Sequence, residues 1–347
     1  MAQYSNTSKP AFYVPFCDYM QSLGNIEYKD DSWNDIHLLN PTKTHTAELT
    51  SNGITYDVNF TGNTINPIKL ETIADSDGYI YIFILGHNMH TINASMEIEL
   101  LENGSYHSPN PSRLSIVNDN GGWTKPSYNG FTIYKAKYSV TNVDGYRIKI
   151  YNRDFVDFSV QNVKLGCVSL CSKWNPSHSP DLSLTMTRQY DGVRTTRTNG
   201  GATLSNASYT RGGTFWATSY AWELTTGEYQ QGTEPTIEMQ RTLGRRIWNL
   251  NFSYLSDSTL MPKTESINHH ETTLTSSTDT ILESQSFFSR VLNRLQGSHI
   301  PFIFQPNDSD PNKNPDQWAI SRLTSEAQLE QVANNTYNVS MNITESW

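Results

Sequence analysis

The segment near the end of the chain sets the tightest constraint on its fold. Tyr337, Val339, Met341 and Ile343 alternate with Asn338, Ser340, Asn342 and Thr344. Successive side chains of a strand point to opposite faces, so this is a half-buried β-strand with an apolar inner face. The parity runs on to Trp347, which predicts that the chain ends inside a sheet. The same alternation recurs at Ile54, Tyr56, Val58 and Phe60, at Met96, Ile98 and Leu100, and at Tyr146, Ile148 and Ile150. It returns at Trp216, Tyr220, Trp222 and Leu224, and at Trp248, Leu250, Phe252 and Tyr254. Residues 79–85, YIYIFIL, form a continuous apolar run, expected of a strand covered on both faces. Val156, Phe158 and Val160 have even parity, whereas Val163, Leu165 and Cys167 have odd parity. A strand cannot change its buried face without an extra residue, so a bulge or a strand change is expected at Gln161-Asn162.

About seven short strands between 50 and 170, with turns such as Asp77-Gly78, Asn103-Gly104 and Asp144-Gly145, predict a jelly-roll β-sandwich. SKWNPSHSPD, 172–181, carries two prolines and reads as a linker to a second β set. One helix is expected there, over 280–296: Thr280 and Glu283 form a capping box, Leu282, Phe288, Val291, Leu292 and Leu295 trace a stripe, and Gly297 stops it. The chain is therefore mainly β: an N-terminal sandwich, then a β-sandwich or barrel flanked by one α-helix. In AFYVPFCDYMQSLGN a further helix ends at Gly24-Asn25, and Pro15 keeps its first half extended. Residues 256–279 are long, polar and rich in Ser and Thr, with Leu260, Met261, Ile267 and Leu274 as scattered anchors; they are expected to lie outside the core. The stretch 188–213 is similar in character.

A net charge of −9 argues against a nucleic-acid binder. No apolar run approaches the ~20 residues of a membrane helix, so no membrane insertion is expected. MAQYSNTSKP is polar and predicts no signal peptide. Of three cysteines, Cys167 and Cys171 share one strand face, too far apart along it to bridge, so free packed thiols are expected. In HIPFIFQPNDSDPNKNPDQWAI, Asp308, Asp310 and Asn312 have calcium-loop spacing. Lys313 stands at the turn-glycine position and Ala319 at the closing glutamate, so a solvated loop is expected instead. His269-His270 lacks metal-site spacing, and Asp154 and Asp157, three apart on a strand, would point to opposite faces. No acid/base pair, phosphate loop or nucleophile elbow stands out, and no enzymatic activity or cofactor is expected. The candidate ligand-binding residues are aromatic: Trp123 and Tyr128, in the Gly/Asn/Pro-rich NDNGGWTKPSYNG, are placed to stack on a sugar ring. Asp75 and Asp77 in ADSDGY read as a plain turn rather than a calcium site beside it.

Four stretches carry a resemblance: KPAFYVPFCDYMQSLGN, RRIWNLNFSYLSDS, FFSRVLNRLQGSHIPFIFQPND, and NPDQWAI with QVANNTYNVSMNITESW. Together they resemble structural tail proteins of tailed bacteriophages, the distal-tail and tail-tip baseplate class. The resemblance implies a tail-tube-like β domain over 181–347, with 1–50 packing on it and a carbohydrate-module-like jelly roll over 51–172. It implies a homo-oligomeric ring, other tail proteins (tube, hub and receptor-binding proteins) as partners, and a place in the virion tail after assembly in the host cytoplasm. PNDSDPNKNPDQ then becomes a rim loop reaching a neighbour. The alternative is an adhesion protein that binds host surface glycans through Trp123 and Tyr128.

Overall fold

A computed structural model describes residues 9–28, 47–49, 54–61, 68–90, 92–110, 114–118, 125–126, 129–152, 163–182, 185–189, 193–207, 245–262, 281–282, 284–308 and 318–346. Its elements are mainly strands. The chain opens with β1 (Ala11–Pro15), α1 (Phe16–Ser22), β2 (Ile26–Tyr28), β3 (Ala47–Leu49), β4 (Ile54–Phe60) and α2 (Leu70–Ile73). Then come β5 (Tyr79–His87), β6 (Ala94–Glu102), β7 (Ser105–His107), β8 (Ser115–Ile116), β9 (Gly130–Lys137), β10 (Gly145–Asn152), β11 (Val163–Leu165) and β12 (Cys167–Trp174). The second half holds β13 (Thr185–Gln189), β14 (Val193–Arg197), β15 (Thr203–Ala207), β16 (Arg245–Ser256) and α3 (Asp257–Leu260). Helix α4 opens as a π-helix over Phe288–Leu292 and continues as an α-helix over Asn293–Leu295. It is followed by β17 (Phe302–Gln305), β18 (Ala319–Leu323), β19 (Gln328–Ala333) and β20 (Thr336–Glu345).

One eleven-stranded sheet runs β13-β16-β20-β18-β17-β1-β12-β5-β9-β8, with β19 also on β20. A five-stranded sheet runs β2-β4-β10-β6-β7. β3 pairs with β11, and β14 with β15. These paths are open, so the second β set is not a closed barrel among the described residues. The long sheet joins ranges 51–172 and 181–347 through a strand from the first 50 residues. β1 is buried at every position and pairs antiparallel on both sides, Phe12 standing opposite Trp174 and opposite Phe304. Pro15 closes it, where a missing N–H costs the ladder least. α1 follows and stops as its sequence predicts. Gly24 takes φ +70°, Gly24 N–H donates to Gln21 O and Asn25 N–H to Met20 O, the paired bonds of a Schellman cap.

The apolar run of β5 is covered on both faces. Ile80, Ile82 and Ile84 enter a core with Val58, Ile98 and Ile148 of the five-stranded sheet, and α1 adds Phe16 and Met20. Tyr81, Phe83 and Leu85 enter a cluster on the opposite face with Tyr13, Cys171 and Ile303. A third core packs Phe252, Val339, Phe302 and Phe12 against Phe287, which caps α4, and Val291 and Leu295 within it. On β12, Leu170 belongs to the first core and Trp174 to the third, with buried Ser172 between them on the same face. At Gly145 a Cβ would lie 2.2 Å from Val58 O, backbone that cannot give way. Gly145→Ala is expected to destabilise by about 1–3 kcal/mol through the shift it forces, read as a lower urea midpoint with an unchanged slope.

Three expectations are corrected. Tyr254 does not share the buried face of Trp248, Leu250 and Phe252. A register shift between Phe252 and Leu255 turns it out, so Leu255 is buried and Tyr254, at φ +62°, is 76% exposed. Leu282 is exposed and lies before the helix, whose buried positions include Phe287, Arg290, Val291, Arg294 and Leu295. Thr280 and Glu283 lie outside the described residues; Ser286 Oγ accepts the Ser289 N–H at 3.3 Å. Residues 256–279 are not wholly outside the core, because they begin with α3, and Leu260 is fully buried in the third core. The step at Gln161-Asn162, the pattern from Trp216 to Leu224, and Trp347 lie outside the described residues.

Candidate functional site

Trp123 and Tyr128 lie outside the described residues. Between them, His90 Nδ1 donates to Pro126 O at 3.1 Å, and Lys125 Nζ donates to Asn93 Oδ1. His269, His270, Asp154 and Asp157 also lie outside. Asp75 forms the expected turn: its Oδ1 accepts the N–H groups of Asp77 and Tyr79 at 2.9 and 2.8 Å, and its Oδ2 accepts Tyr81 Oη at 2.7 Å. Asp308 anchors its loop, accepting Lys173 Nζ at 2.6 Å and Asn175 Nδ2 at 3.1 Å. Asp310 and Asn312 lie outside the described residues, and among those described no cluster could hold a metal ion.

The three cysteines are buried and none is in a disulfide. Burial pushes Cys17 up to about 11 despite a 3.4 Å contact with Tyr146 Oη, and pushes Cys171 up as well, so neither is a thiolate at neutral pH. His87 is a buried neutral base. Its Nδ1 accepts the Met89 N–H at 3.3 Å, which leaves the proton on Nε2, donated to Thr132 Oγ1 at 2.9 Å. Burial first, then the neighbouring His90, pushes its pKa down to about 3. Between pH 6.5 and about 3 the unfolded chain takes up a proton that the folded chain refuses. Stability is therefore full above pH 6.5 and falls as the pH drops, by about 1.4 kcal/mol per unit. His87→Gln is expected to flatten the dependence of the urea midpoint between pH 7 and 5.

The arrangement that suits interaction lies at the other end of the long sheet. Among the described residues β13 is its terminal strand, and all five of its residues are exposed. β14 and β15 form a two-stranded ribbon whose described side chains are all exposed and enter none of the three cores. Its turn is closed by Thr198 Oγ1, which accepts the Ala202 N–H at 3.0 Å. Two strands alone are marginal in water, and an open edge is a template for further pairing. Residues 185–207 carry Arg188, Arg194 and Arg197 against one aspartate, in a chain whose net charge is −9. Met186, Val193 and Leu204 are exposed among them.

Residues that sequence patterning misses include two buried arginines on α4. Arg294 Nη1 donates to Ser172 Oγ at 2.6 Å and Nη2 to Thr72 O at 2.5 Å, with its guanidinium over the Phe16 ring. Arg290 Nη2 donates to Glu71 O, which also accepts Gln285 Nε2 at 2.7 Å. Both guanidiniums thus cap the carbonyls at the end of α2. A helix that carries arginine at two buried positions reads in sequence as an ordinary amphipathic stripe with charged outer residues. No family model, curated protein or solved structure matches this chain.

Proposed function

We propose that the protein is a structural, non-catalytic subunit that assembles with copies of itself, and that the object it builds is the distal end of a bacteriophage tail. On this reading it forms a distal-tail or tail-tip ring that anchors host-recognition proteins. The four quoted stretches supply the phage assignment. The observation that carries self-assembly is the terminal strand β13 with the exposed β14–β15 ribbon. A coreless basic ribbon on an acidic chain is complementary to the body of a second copy, and a head-to-tail contact of this kind closes into a ring.

Replacing 193–207 by a short Gly/Ser linker tests this. The parent is expected to form oligomers by light scattering, weakened as salt rises, whereas the shortened chain stays monomeric with an unchanged melting temperature. Oligomers that survive the replacement would rule out the ribbon as the contact.

Host-glycan binding is the second reading. One observation favours it: the outer face of β16 and β20 presents Asn249, Asn251, Asn338, Ser340 and Asn342, uncharged hydrogen-bonding groups beside exposed Tyr254. On a glycan array, binding lost in Tyr254→Ala would place the site on this face. Binding lost in Trp123→Ala, at unchanged melting temperature, would place it in the 118–130 loop.

A further inference from the structure

The inner face of the five-stranded sheet lies against the first core, and its outer face is acidic. Val58, Ile98 and Ile148 point into the core, so Asp57, Glu99 and Arg147 beside them point outward. Arg147 stands between Asp57 and Glu99 in the register and donates to both Asp57 oxygens at 2.6 and 2.7 Å. Lys149 Nζ donates to Glu99 Oε1 at 2.8 Å. The two cations are thus matched by two carboxylates. Glu97 and Glu27 share this face and are exposed, Glu97 accepting the Tyr151 hydroxyl at 3.2 Å. With Glu27, Asp57, Glu97 and Glu99 against Arg147 and Lys149, the excess charge is negative. Leu101 and Tyr106 stand opposite each other at one side of the face, and neither enters any of the three cores.

We propose that this acidic face receives the β14–β15 ribbon of a second copy of the chain, an inference that rests on the ribbon being the self-assembly contact. Arg194 and Arg197, three apart on one strand, point to opposite faces of the ribbon. Exposed Val193 lies on the face of Arg197, and exposed Leu204, opposite Thr196, lies on the face of Arg194. Either face of the ribbon therefore offers one arginine and one aliphatic side chain. The arginine suits Glu97 or Glu27, and the aliphatic suits Leu101 and Tyr106. All described side chains of the ribbon are exposed, so its own chain does not receive it. Distance along the molecule agrees. β13, the strand before the ribbon, stands seven steps along the long sheet from β5, on which the five-stranded sheet packs. At ~4.8 Å per step the separation is about 34 Å, whereas a ribbon strand of five residues spans only about 17 Å. Donor and receiver are thus well apart on one chain, the head-to-tail relation from which closed rings are built. Exposed charges of opposite sign set the register and speed the encounter, and salt weakens both effects.

The test is charge reversal in the full chain, read as mass by light scattering across a concentration series. Glu27→Lys with Glu97→Lys alters the face, and Arg194→Glu with Arg197→Glu alters the ribbon. All four side chains are exposed, so the melting temperature should not move. Each double variant alone is expected to dissociate at a concentration about tenfold or more above that of the parent. Mixed in equal amounts, the two are expected to form a one-to-one pair and nothing larger, because the intact ribbon of one meets the intact face of the other. A mixture that stays monomeric overturns the pairing of these two surfaces. Face-reversed oligomers as tight as the parent's overturn it too; if replacing 193–207 still abolishes assembly, the ribbon remains the contact and only its receiving face is wrong. A parent that is monomeric throughout, or oligomers that survive the 193–207 replacement, would remove both the ribbon contact and this face.

Discussion

Removing residues 9–15 is expected to abolish the native state, not merely to weaken it. The segment supplies β1, which is sealed on both faces and hydrogen-bonded along both edges. Phe12 packs on Trp174, Phe302 and Phe304 at centroid distances of 5.7, 5.6 and 5.3 Å. On the other face Tyr13 meets Tyr81 at 5.4 Å and donates to Gln305 Oε1 at 3.2 Å. Truncating one buried aromatic costs about 3–5 kcal/mol, and here two are lost with Ala11, Val14 and two ladders. A whole domain is stable by only ~5–15 kcal/mol. The deleted chain should show no cooperative transition by circular dichroism, and a synthetic 9–15 peptide should restore one. For the same reason residues 51–172 alone, lacking β1 and α1, are expected to give poorly dispersed amide resonances. Addition of 9–28 should disperse them. If 51–172 instead unfolds cooperatively by itself, β1 only docks onto a finished sandwich.

Glu345→Gln should be the most damaging single change near the chain's last strand. Glu345 Oε2 accepts the backbone N–H and Nε of Arg246, both at 3.0 Å, and Oε1 accepts Nη2 at 2.9 Å. The same Nη2 reaches Trp318 O at 2.9 Å, so the pair ties β16, β20 and the start of β18 together. The side chains are 11% and 10% exposed. Removing one partner of such a pair leaves a buried charge alone and costs about 3–5 kcal/mol. Arg246→Met with Glu345→Leu should recover most of that loss, since an apolar pair leaves nothing unpaired. Urea denaturation of the two variants separates the cases; equal losses in both would mean that the pair itself, not its orphaned half, supplies the stability.

Most of the β architecture was legible because it rests on period-two burial. Tyr337 to Ile343 and the doubly covered run of β5 follow directly from residue parity. Local chemistry was legible too, as at the Gly24-Asn25 cap and the Asp75 turn. The bulge before Tyr254 was not, because β16 ends at Ser256 and leaves too few residues after the shift to show a change of parity. The ribbon escaped notice because β14 and β15 bury nothing and so carry no apolar alternation. The shared sheet was hidden for a different reason: pairing of β1 with β12 and β17 spans most of the chain, and strand patterning says which face is buried, not which neighbour is chosen. Of the candidate glycan loop 118–130, Asn118, Lys125, Pro126, Asn129 and Gly130 are described, and Trp123 and Tyr128 are not.

The position of β1 also bears on how the molecule carries mechanical load. Its two halves are joined by main-chain hydrogen bonds that lie across the strand direction, as in any antiparallel ladder. Tension along the strands would put all the bonds of a ladder in shear at once, and they would fail together. Tension across them would peel the same bonds one after another at far lower force. The protein should therefore be stiff along one axis and weak along another. Forced unfolding reports a rate over a barrier, so single molecules pulled from attachment points chosen for each axis would yield two distinct rupture forces. A subunit placed with β1 along the direction of pull would hold under a load that opens it when turned through a right angle.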